Sequence, residues 1–76
     1  MGNLKSILLI RNNIHVQRAE MKLTQQQLAD AIGVTRLTIS SLEKGKYNPS
    51  LELAFRFARF FKKEINEIFI VEGEHE

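Results

Sequence analysis

The feature that most constrains the fold is the stretch from Thr24 to Gly45, in which two short apolar-periodic segments flank a glycine. Its apolar residues recur at helical spacing and are Leu28, Ala29, Ile32, Val34, Ile39 and Leu42. This period predicts two helices, each with one buried face. Ala29 is small where the helices would cross, so the second helix can lie close against the first.

Local signals give both helices defined ends. Thr24 and Gln27 have the spacing of a capping box, in which each side chain bonds to the backbone amide of the other residue. Gly33 follows the first segment, where a left-handed helix end favours a residue without Cβ. Thr35 is the expected cap of the second helix, and Gly45 is the residue expected to end it. The predicted helices span residues 25–32 and 36–44.

The outward face of the second helix carries short polar and basic side chains and no carboxylate before Glu43. These outward residues are Arg36, Leu37, Ser40, Ser41 and Lys44. A helix held across another with such a face suits the major groove of DNA. Arg36 is the strongest candidate for reading a base, because an arginine fork matches guanine O6 and N7, and Leu37 can meet a thymine methyl. A solvated helix face is the alternative for these residues.

The same stretch contains three motifs at fixed spacing. They are Q-x-x-L-A at Gln25–Ala29, G-V-T-R at Gly33–Arg36 and E-K-G-K-Y-N-P-S at Glu43–Ser50. With these motifs the chain resembles the Cro/C1-type (Xre) helix-turn-helix transcriptional regulators over about residues 13–69. The resemblance implies an all-α, five-helix, lambda repressor-like DNA-binding domain whose partner is double-stranded DNA. Nothing in it requires a cofactor, a metal or a small-molecule ligand.

The resemblance and the residue chemistry together assign candidate DNA contacts. The expected base contacts are Arg36, Leu37, Thr38, Ser40 and Ser41. The expected backbone contacts are Thr24, Gln25, Thr35, Lys44, Lys46, Tyr47 and Asn48. Free amides and the positive dipole end favour a phosphate at the start of the first helix of the motif. In the family, the glutamine matching Gln25 also supports the first recognition residue, here Arg36.

The resemblance implies one internal ion pair. Arg18 matches the arginine that in this family pairs with the glutamate matching Glu43. Arg18 lies in the first helix, predicted over Asn13–Met21 with Asn12 or Asn13 as its cap. The pair would tie this helix to the end of the recognition helix, and two solvated surface charges are the alternative. Partly buried, it would act more on geometry than on net stability.

The fourth helix is predicted over Leu51–Phe61, with Ser50 as its cap, and is apolar on nearly all sides. One buried face would hold Leu51, Ala54, Phe55, Ala58 and Phe61. Three further apolar residues, Leu53, Phe57 and Phe60, would then lie outside that face. Either this helix is central in the domain or part of it meets a partner. Relatives usually carry a glycine where Lys62 stands, so the helix must end without one. A short fifth helix is expected over Ile65–Phe69, capped by Glu64.

Short apolar segments lie near both ends of the chain. Ile7–Ile10 fits a strand, and an N-terminal extension of the first helix is the alternative. Ile68–Val71 could pair with it as a two-stranded antiparallel ribbon, as in the similar small dimeric cytolysin repressor of this family. We therefore expect an N-terminal extension over residues 1–12, a helix-turn-helix domain over 13–69 and a C-terminal segment with an acidic tail over 70–76.

Composition narrows the classes of function. A chain of 76 residues has the length of one domain. Because it contains no cysteine, it can have no disulfide framework and no thiolate metal site, and it fits the reducing cytoplasm. Three of the last five residues are glutamates, so the rest of the chain is net basic. This charge is compatible with a polyanionic partner. His15 and His75 have no ligand or nucleophile spacing around them, so we expect surface histidines and no enzyme. The apolar run in Leu4–Ile10 is too short for a signal peptide or a membrane span.

The leading hypothesis is a sequence-specific DNA-binding regulator, most simply a dimeric repressor that binds an inverted-repeat operator. A dimer is expected because a single helix in one major groove reads only a few base pairs. Its expected interface is formed by Phe60, Ile68, Phe69 and Ile70. The alternative is a protein-interaction module, such as an adaptor or an antitoxin, that keeps the same fold.

Overall fold

The computed structural model describes residues 7–75, and it describes side-chain burial over residues 8–73. This part of the chain forms five helices and two strands. In chain order they are β1 (Ile7–Asn12), α1 (Ile14–Glu20), α2 (Gln25–Ile32), α3 (Arg36–Glu43), α4 (Leu51–Phe61), α5 (Ile65–Ile68) and β2 (Phe69–His75). None of these helices is long and apolar enough to cross a membrane.

The two strands pair as an antiparallel ribbon, which confirms the expected ribbon. The N-terminal segment is therefore a strand and not an extension of the first helix. Leu9 pairs with Gly73 and Ile10 pairs with Val71, so Glu72 is an extra residue that makes a bulge in β2. The second strand starts one residue later than expected and runs further, because Ile68 completes the turn of α5. The predicted strand Ile68–Val71 is therefore displaced.

The chain turns sharply between β1 and α1 at two asparagines. The Asn12 carboxamide oxygen accepts a hydrogen bond from the backbone amide of Ile14 at 3.1 Å. The backbone amide of Asn13 donates to the carbonyl of Ile68 at 2.8 Å. Asn13 stands at the N-cap position but its side chain makes no capping bond to α1. Asn12 therefore supplies the side-chain bond at the start of α1, while Asn13 joins this start to α5.

The core is formed where all five helices meet. Its buried residues are Ile14, Leu28, Ala29, Ile32, Ile39, Leu42, Phe57, Ala58, Phe61 and Ile68. Phe57 is the largest fully buried side chain. Its ring lies 6.1 Å from that of Phe61 and 6.3 Å from that of Phe69, so the first residue of β2 extends the aromatic packing. Each fully buried aliphatic or aromatic side chain contributes roughly 1.5–3 kcal/mol through its removal from water.

The predicted buried face of α4 is partly wrong. Ala54, Ala58 and Phe61 are buried as expected, but Leu51 and Phe55 are exposed and Phe57 is fully buried. The helix is rotated because α5 and β2 cover the side that carries Phe57. A helix that is apolar on nearly all sides contains no periodic signal that selects one face.

Helix α4 ends at Phe61, as predicted, although no glycine follows it. Lys62 takes the left-handed backbone conformation with φ 58°, and its amide lies 3.3 Å from the carbonyl of Arg59. The next amide, of Lys63, donates to the carbonyl of Ala58 at 3.0 Å. This arrangement satisfies the last carbonyls of the helix but places a residue with Cβ where glycine is favoured.

The expected dimer interface needs a correction at Ile68. This side chain is fully buried within the single chain, so it has no surface to offer a partner. Phe60 and Phe69 are half-buried and pack against the core. Ile70 is half-buried in β2. In the short α5, Ile68 faces inward, whereas Asn66 and Glu67 take the exposed positions of the helix.

Candidate nucleic-acid interface

The first helix of the motif is held by the expected capping box. The Thr24 hydroxyl accepts from the amide of Gln27 at 3.0 Å, and the amide of Thr24 donates to Gln27 Oε1 at 2.8 Å. At the other end of α2, Gly33 has φ 90° and its amide donates to the carbonyl of Ala29 at 2.8 Å. A residue with Cβ would be strained at this φ, so the turn into α3 depends on the glycine.

Helix α3 starts with a threonine cap that also occupies a neighbouring side chain. The Thr35 hydroxyl accepts from the amide of Thr38 at 3.2 Å. The hydroxyl groups of the two threonines lie 3.0 Å apart. The Thr38 hydroxyl is thus committed to the helix start in this structure, and it is half-buried.

The remaining candidate base contacts lie along one side of α3. Arg36 and Leu37 are exposed in its first turn, whereas Ser40 and Ser41 are half-buried. Leu37 keeps 69% of its surface exposed although it is a large apolar residue. Within the described residues, the Arg36 guanidinium has no ion-pair partner. The face thus presents one unengaged cation and one apolar side chain at its N-terminal end.

The loop after α3 continues this face with exposed polar residues. They are Lys44, Lys46, Tyr47 and Asn48. Gly45 allows the loop to leave the helix with φ 72°, as expected from the sequence. Thr24 and Gln25 lie at the start of α2, where Thr24 is exposed and Gln25 is half-buried. Candidate phosphate contacts are therefore available in α2 and in the loop that follows α3.

Arg18 and Glu43 form a bidentate ion pair between α1 and the end of α3. Arg18 Nε donates to Glu43 Oε2 at 2.7 Å and Nη2 donates to Oε1 at 3.1 Å. A third nitrogen, Nη1, donates to the carbonyl of Leu23 at 3.0 Å. Only 8% of the Glu43 side chain is exposed. A bidentate pair of this kind fixes the relative orientation of the two side chains in addition to its electrostatic attraction.

The charged forms of both groups of this pair are stabilised. Burial alone raises the pKa of Glu43, but the hydrogen bonds from Arg18 and Gln25 and the nearby positive charge hold it below its ordinary value. The hydrogen bond to Glu43 raises the pKa of Arg18 above its ordinary value, and burial opposes this only in part. Both groups are therefore ionised at neutral pH.

The structure changes the expected role of Gln25. Its amide nitrogen donates to Glu43 Oε1 at 3.1 Å, so the side chain joins the ion pair. Among the described residues no hydrogen bond connects Gln25 with Arg36, so the support of Arg36 by Gln25 stays a prediction. Gln25 thus links the start of α2 to the end of α3.

Arg56 is a supporting residue that was not predicted from the sequence. Its Nη1 donates to the carbonyl of Ile32 at 3.2 Å, and its Nη2 lies 2.6 Å from Glu52 Oε2. A Cβ placed on Gly33 would lie 3.4 Å from the same Nη1. Arg56 therefore places a positive charge at the C-terminal end of α2, where the helix dipole favours it. The i, i+4 spacing of Glu52 and Arg56 predicts an ion pair along α4. No local sequence pattern predicts the hydrogen bond from Arg56 to the carbonyl of Ile32.

This chain is similar in sequence to a known protein family and to known proteins. Residues 14–68 match the protein family described as helix-turn-helix. The chain is 49% identical to an uncharacterized HTH-type transcriptional regulator of Methanocaldococcus jannaschii over 65 residues, which cover 86% of this chain and 98% of the relative. An uncharacterized HTH-type transcriptional regulator of Methanothermobacter thermautotrophicus is 52% identical over 66 residues, which cover 86% and 96%.

Two further similarities come from a repressor and a solved structure. The cryptic phage CTXphi transcriptional repressor RstR of Vibrio cholerae is 33% identical over 60 residues, which cover 79% of this chain and 54% of RstR. The crystal structure of a Bacteroides fragilis protein described as a candidate DNA-binding protein matches with a TM-score of 0.72 and 28% identity, over 80% of this chain and 98% of that one. This chain therefore belongs to the Cro/C1-type (Xre) helix-turn-helix family of DNA-binding transcriptional regulators.

Proposed function

We propose that this regulator acts as a dimeric repressor that binds an inverted-repeat operator through α3, the recognition helix. The observation that carries the proposal is the exposed face of α3, which is held rigidly at both ends. Gly33 and Thr35 fix its start, and the Arg18–Glu43 pair fixes its end. RstR, a relative named as a transcriptional repressor, supports repression as the mode of action.

The proposed contacts divide into those that read bases and those that position the helix. Arg36 and Leu37 read bases, because both are exposed in the first turn of α3. Ser40 and Ser41 approach the bases from the following turn, and Thr38 contributes through its methyl group while its hydroxyl stays at the cap. The proposed phosphate contacts remain Thr24, Gln25, Thr35, Lys44, Lys46, Tyr47 and Asn48.

A groove beside the ribbon supports the dimer. It encloses about 290 Å³ between β1, the loop before α4, α5 and the start of β2. Its walls are uncharged and include Ile10, Asn48, Leu51, Ile65 and Phe69. Two copies that each carry a net positive charge can approach here without like charges meeting. The proposed interface is therefore centred on this groove. Phe69 is the one residue that the groove shares with the interface expected from the sequence.

One exposed wall residue of the groove, Leu51, supports a twofold interface. Leu51 projects beside it with 72% of its surface exposed, so each copy offers both a projection and a depression. A twofold contact brings the same patch of both subunits together. Two recognition helices related in this way can enter successive major grooves on one face of DNA, about 34 Å apart.

Selection of bound sites from random DNA tests the operator. The expected result is an inverted repeat that binds two copies of the chain. Recovery of a single half-site bound by one copy would contradict the proposal. Affinity for DNA should also fall steeply with salt, since each neutralised phosphate releases counterions. An adaptor or antitoxin that does not bind DNA would show no such dependence.

Sedimentation of a matched pair of variants tests the dimer surface. Leu51→Lys should shift the dimer towards the monomer, because it places a charge in an apolar contact. Leu37→Lys is the control, since Leu37 is exposed to a similar extent, 69% against 72%, but lies on α3. Leu37→Lys should leave the mass unchanged. Equal behaviour of the two variants would place the interface elsewhere.

A further inference from the structure

The two edges of the ribbon differ in their protection against pairing with another strand. The β2 edge carries a bulge at Glu72 and a glycine, Gly73, with φ 153°. Bulges and charged side chains are the devices by which proteins keep an edge strand from pairing with a further strand. The β2 edge is therefore guarded.

The β1 edge has none of these devices over Ile7–Ile10, which contains neither a charge nor a proline. Leu8, Leu9 and Ile10 are all exposed. In a two-stranded ribbon, the amide and carbonyl groups that point away from the partner strand have no partner in the ribbon. Among the described residues, no strand other than β2 covers β1. An exposed apolar edge of this kind is a template for strand addition.

We propose that the free edge of β1 pairs antiparallel with β1 of a second copy of this chain. A twofold axis perpendicular to such a sheet places residues on the same face opposite each other, so the axis can pass midway between a residue and its own copy. When the axis passes midway between Leu9 and its copy, Leu9 faces Leu9 and Leu8 faces Ile10 across the interface. Opposed apolar side chains at this spacing stabilise a sheet.

The charges near this contact favour the second copy as the occupant. The first charged residue of β1 is Arg11, and its Nε lies 3.2 Å from Glu72 Oε1 of the same chain. Its charge is thus balanced before two copies meet. Pairing would also convert a two-stranded ribbon, which is marginally stable by itself, into a four-stranded sheet.

This interface is distinct from the groove, with which it shares only Ile10. Only the consequence of the strand pairing rests on the proposed function. That consequence is that two dimers on neighbouring operators become linked through their ribbons. The strand pairing itself requires no DNA. The free protein can therefore be used for the test.

Disulfide trapping tests the register. The chain has no cysteine, so Leu9→Cys introduces a single thiol. Directly opposed residues have Cβ atoms about 4.5–5.5 Å apart, within small adjustments of disulfide geometry. Leu9→Cys should form a covalent dimer under mild oxidation, and Val71→Cys, on the guarded strand, should do so at least tenfold more slowly. Equal rates for both variants would overturn the proposal.

Sedimentation equilibrium separates this contact from the groove. The wild type should reach the mass of a tetramer at high concentration, whereas Leu9→Lys should remain a dimer and Val71→Lys should behave as wild type. An unchanged mass for Leu9→Lys, in protein shown to be folded by its thermal transition, would overturn the strand pairing. Leu51→Lys together with Leu9→Cys should still cross-link, so failure of the groove and failure of the strand pairing give different results.

Discussion

The side-chain nitrogen of Asn12 lies 2.9 Å from the main-chain oxygen of Leu42 and donates a hydrogen bond to it. The same side chain accepts from the amide of Ile14, so both of its polar atoms are engaged. Asn12 is the last residue of β1, and Leu42 is in the last turn of α3. One side chain thus joins the ribbon, the start of α1 and the end of the recognition helix.

Replacement of Asn12 by alanine should therefore destabilise the fold. Two hydrogen bonds are lost, and each contributes about 0.5–1.5 kcal/mol, so we expect a loss of roughly 1–3 kcal/mol. The measurement is the urea midpoint at an unchanged m-value. Asn66→Ala is the control, because Asn66 is exposed in α5 and should stay within about 0.5 kcal/mol of wild type. Similar losses in both variants would show that the Asn12 bonds contribute little.

The lowered pKa of Glu43 makes part of the stability depend on pH. Since the folded pKa lies below the ordinary value of 4.5, the ionised group stabilises the fold. This contribution is fully present above the unfolded value and is lost as the pH falls through the folded value. Glu43→Gln should cost about 1–3 kcal/mol at neutral pH, because the buried pair loses its charge-assisted bonds.

The difference between Glu43→Gln and wild type should therefore shrink in acid. Unfolding free energies at neutral pH and at about pH 3 measure it. Glu20→Gln is the control, since Glu20 is exposed at the end of α1. It should match wild type at both pH values. A difference for Glu43→Gln that stays constant with pH would contradict the role assigned to its charge.

The elements bounded by local interactions could be predicted from the sequence. Helix α2 has the predicted bounds because the bonds that begin and end it join residues only three or four positions apart, as between Thr24 and Gln27. The start of α3 at Thr35 follows the same rule. The ribbon could be predicted because its two apolar segments are short and lie outside the helical pattern.

The features that depend on distant contacts could not be predicted. Asn12 and Leu42 are 30 positions apart, and an asparagine next to a helix start signals only a cap. The bond from Arg56 to Ile32 spans 24 positions. The inward face of α4 was missed because phenylalanine occurs on several of its sides, and only the packing of α5 and β2 decides that Phe57 is buried.

Lys62 offers a stabilising substitution. It has φ 58° at the end of α4, and a residue with Cβ is strained there by about 1–2 kcal/mol. Glycine removes this strain but gives the unfolded chain more freedom, so Lys62→Gly should raise stability by roughly 0.5–1 kcal/mol. The thermal midpoint should rise by several degrees. Lys63→Gly, at the next exposed position, should not raise it. If both variants lower the midpoint, strain at Lys62 is negligible.

The proposed base contact of Arg36 gives the sharpest functional test. Because a guanidinium fork recognises guanine, Arg36→Ala should weaken binding to the selected operator by about 1–3 kcal/mol and relax preference at one base pair. Binding to random DNA should change little. Lys46→Ala is the matched control, since an exposed lysine on a phosphate should weaken operator and random DNA alike and reduce the salt slope by about 1. Fluorescence anisotropy titrations with the operator, its single-base variants and random DNA, each over a range of salt, give all of these quantities. If Arg36→Ala weakens every DNA equally and lowers the salt slope as Lys46→Ala does, Arg36 contacts a phosphate and the bases are read by other residues of α3.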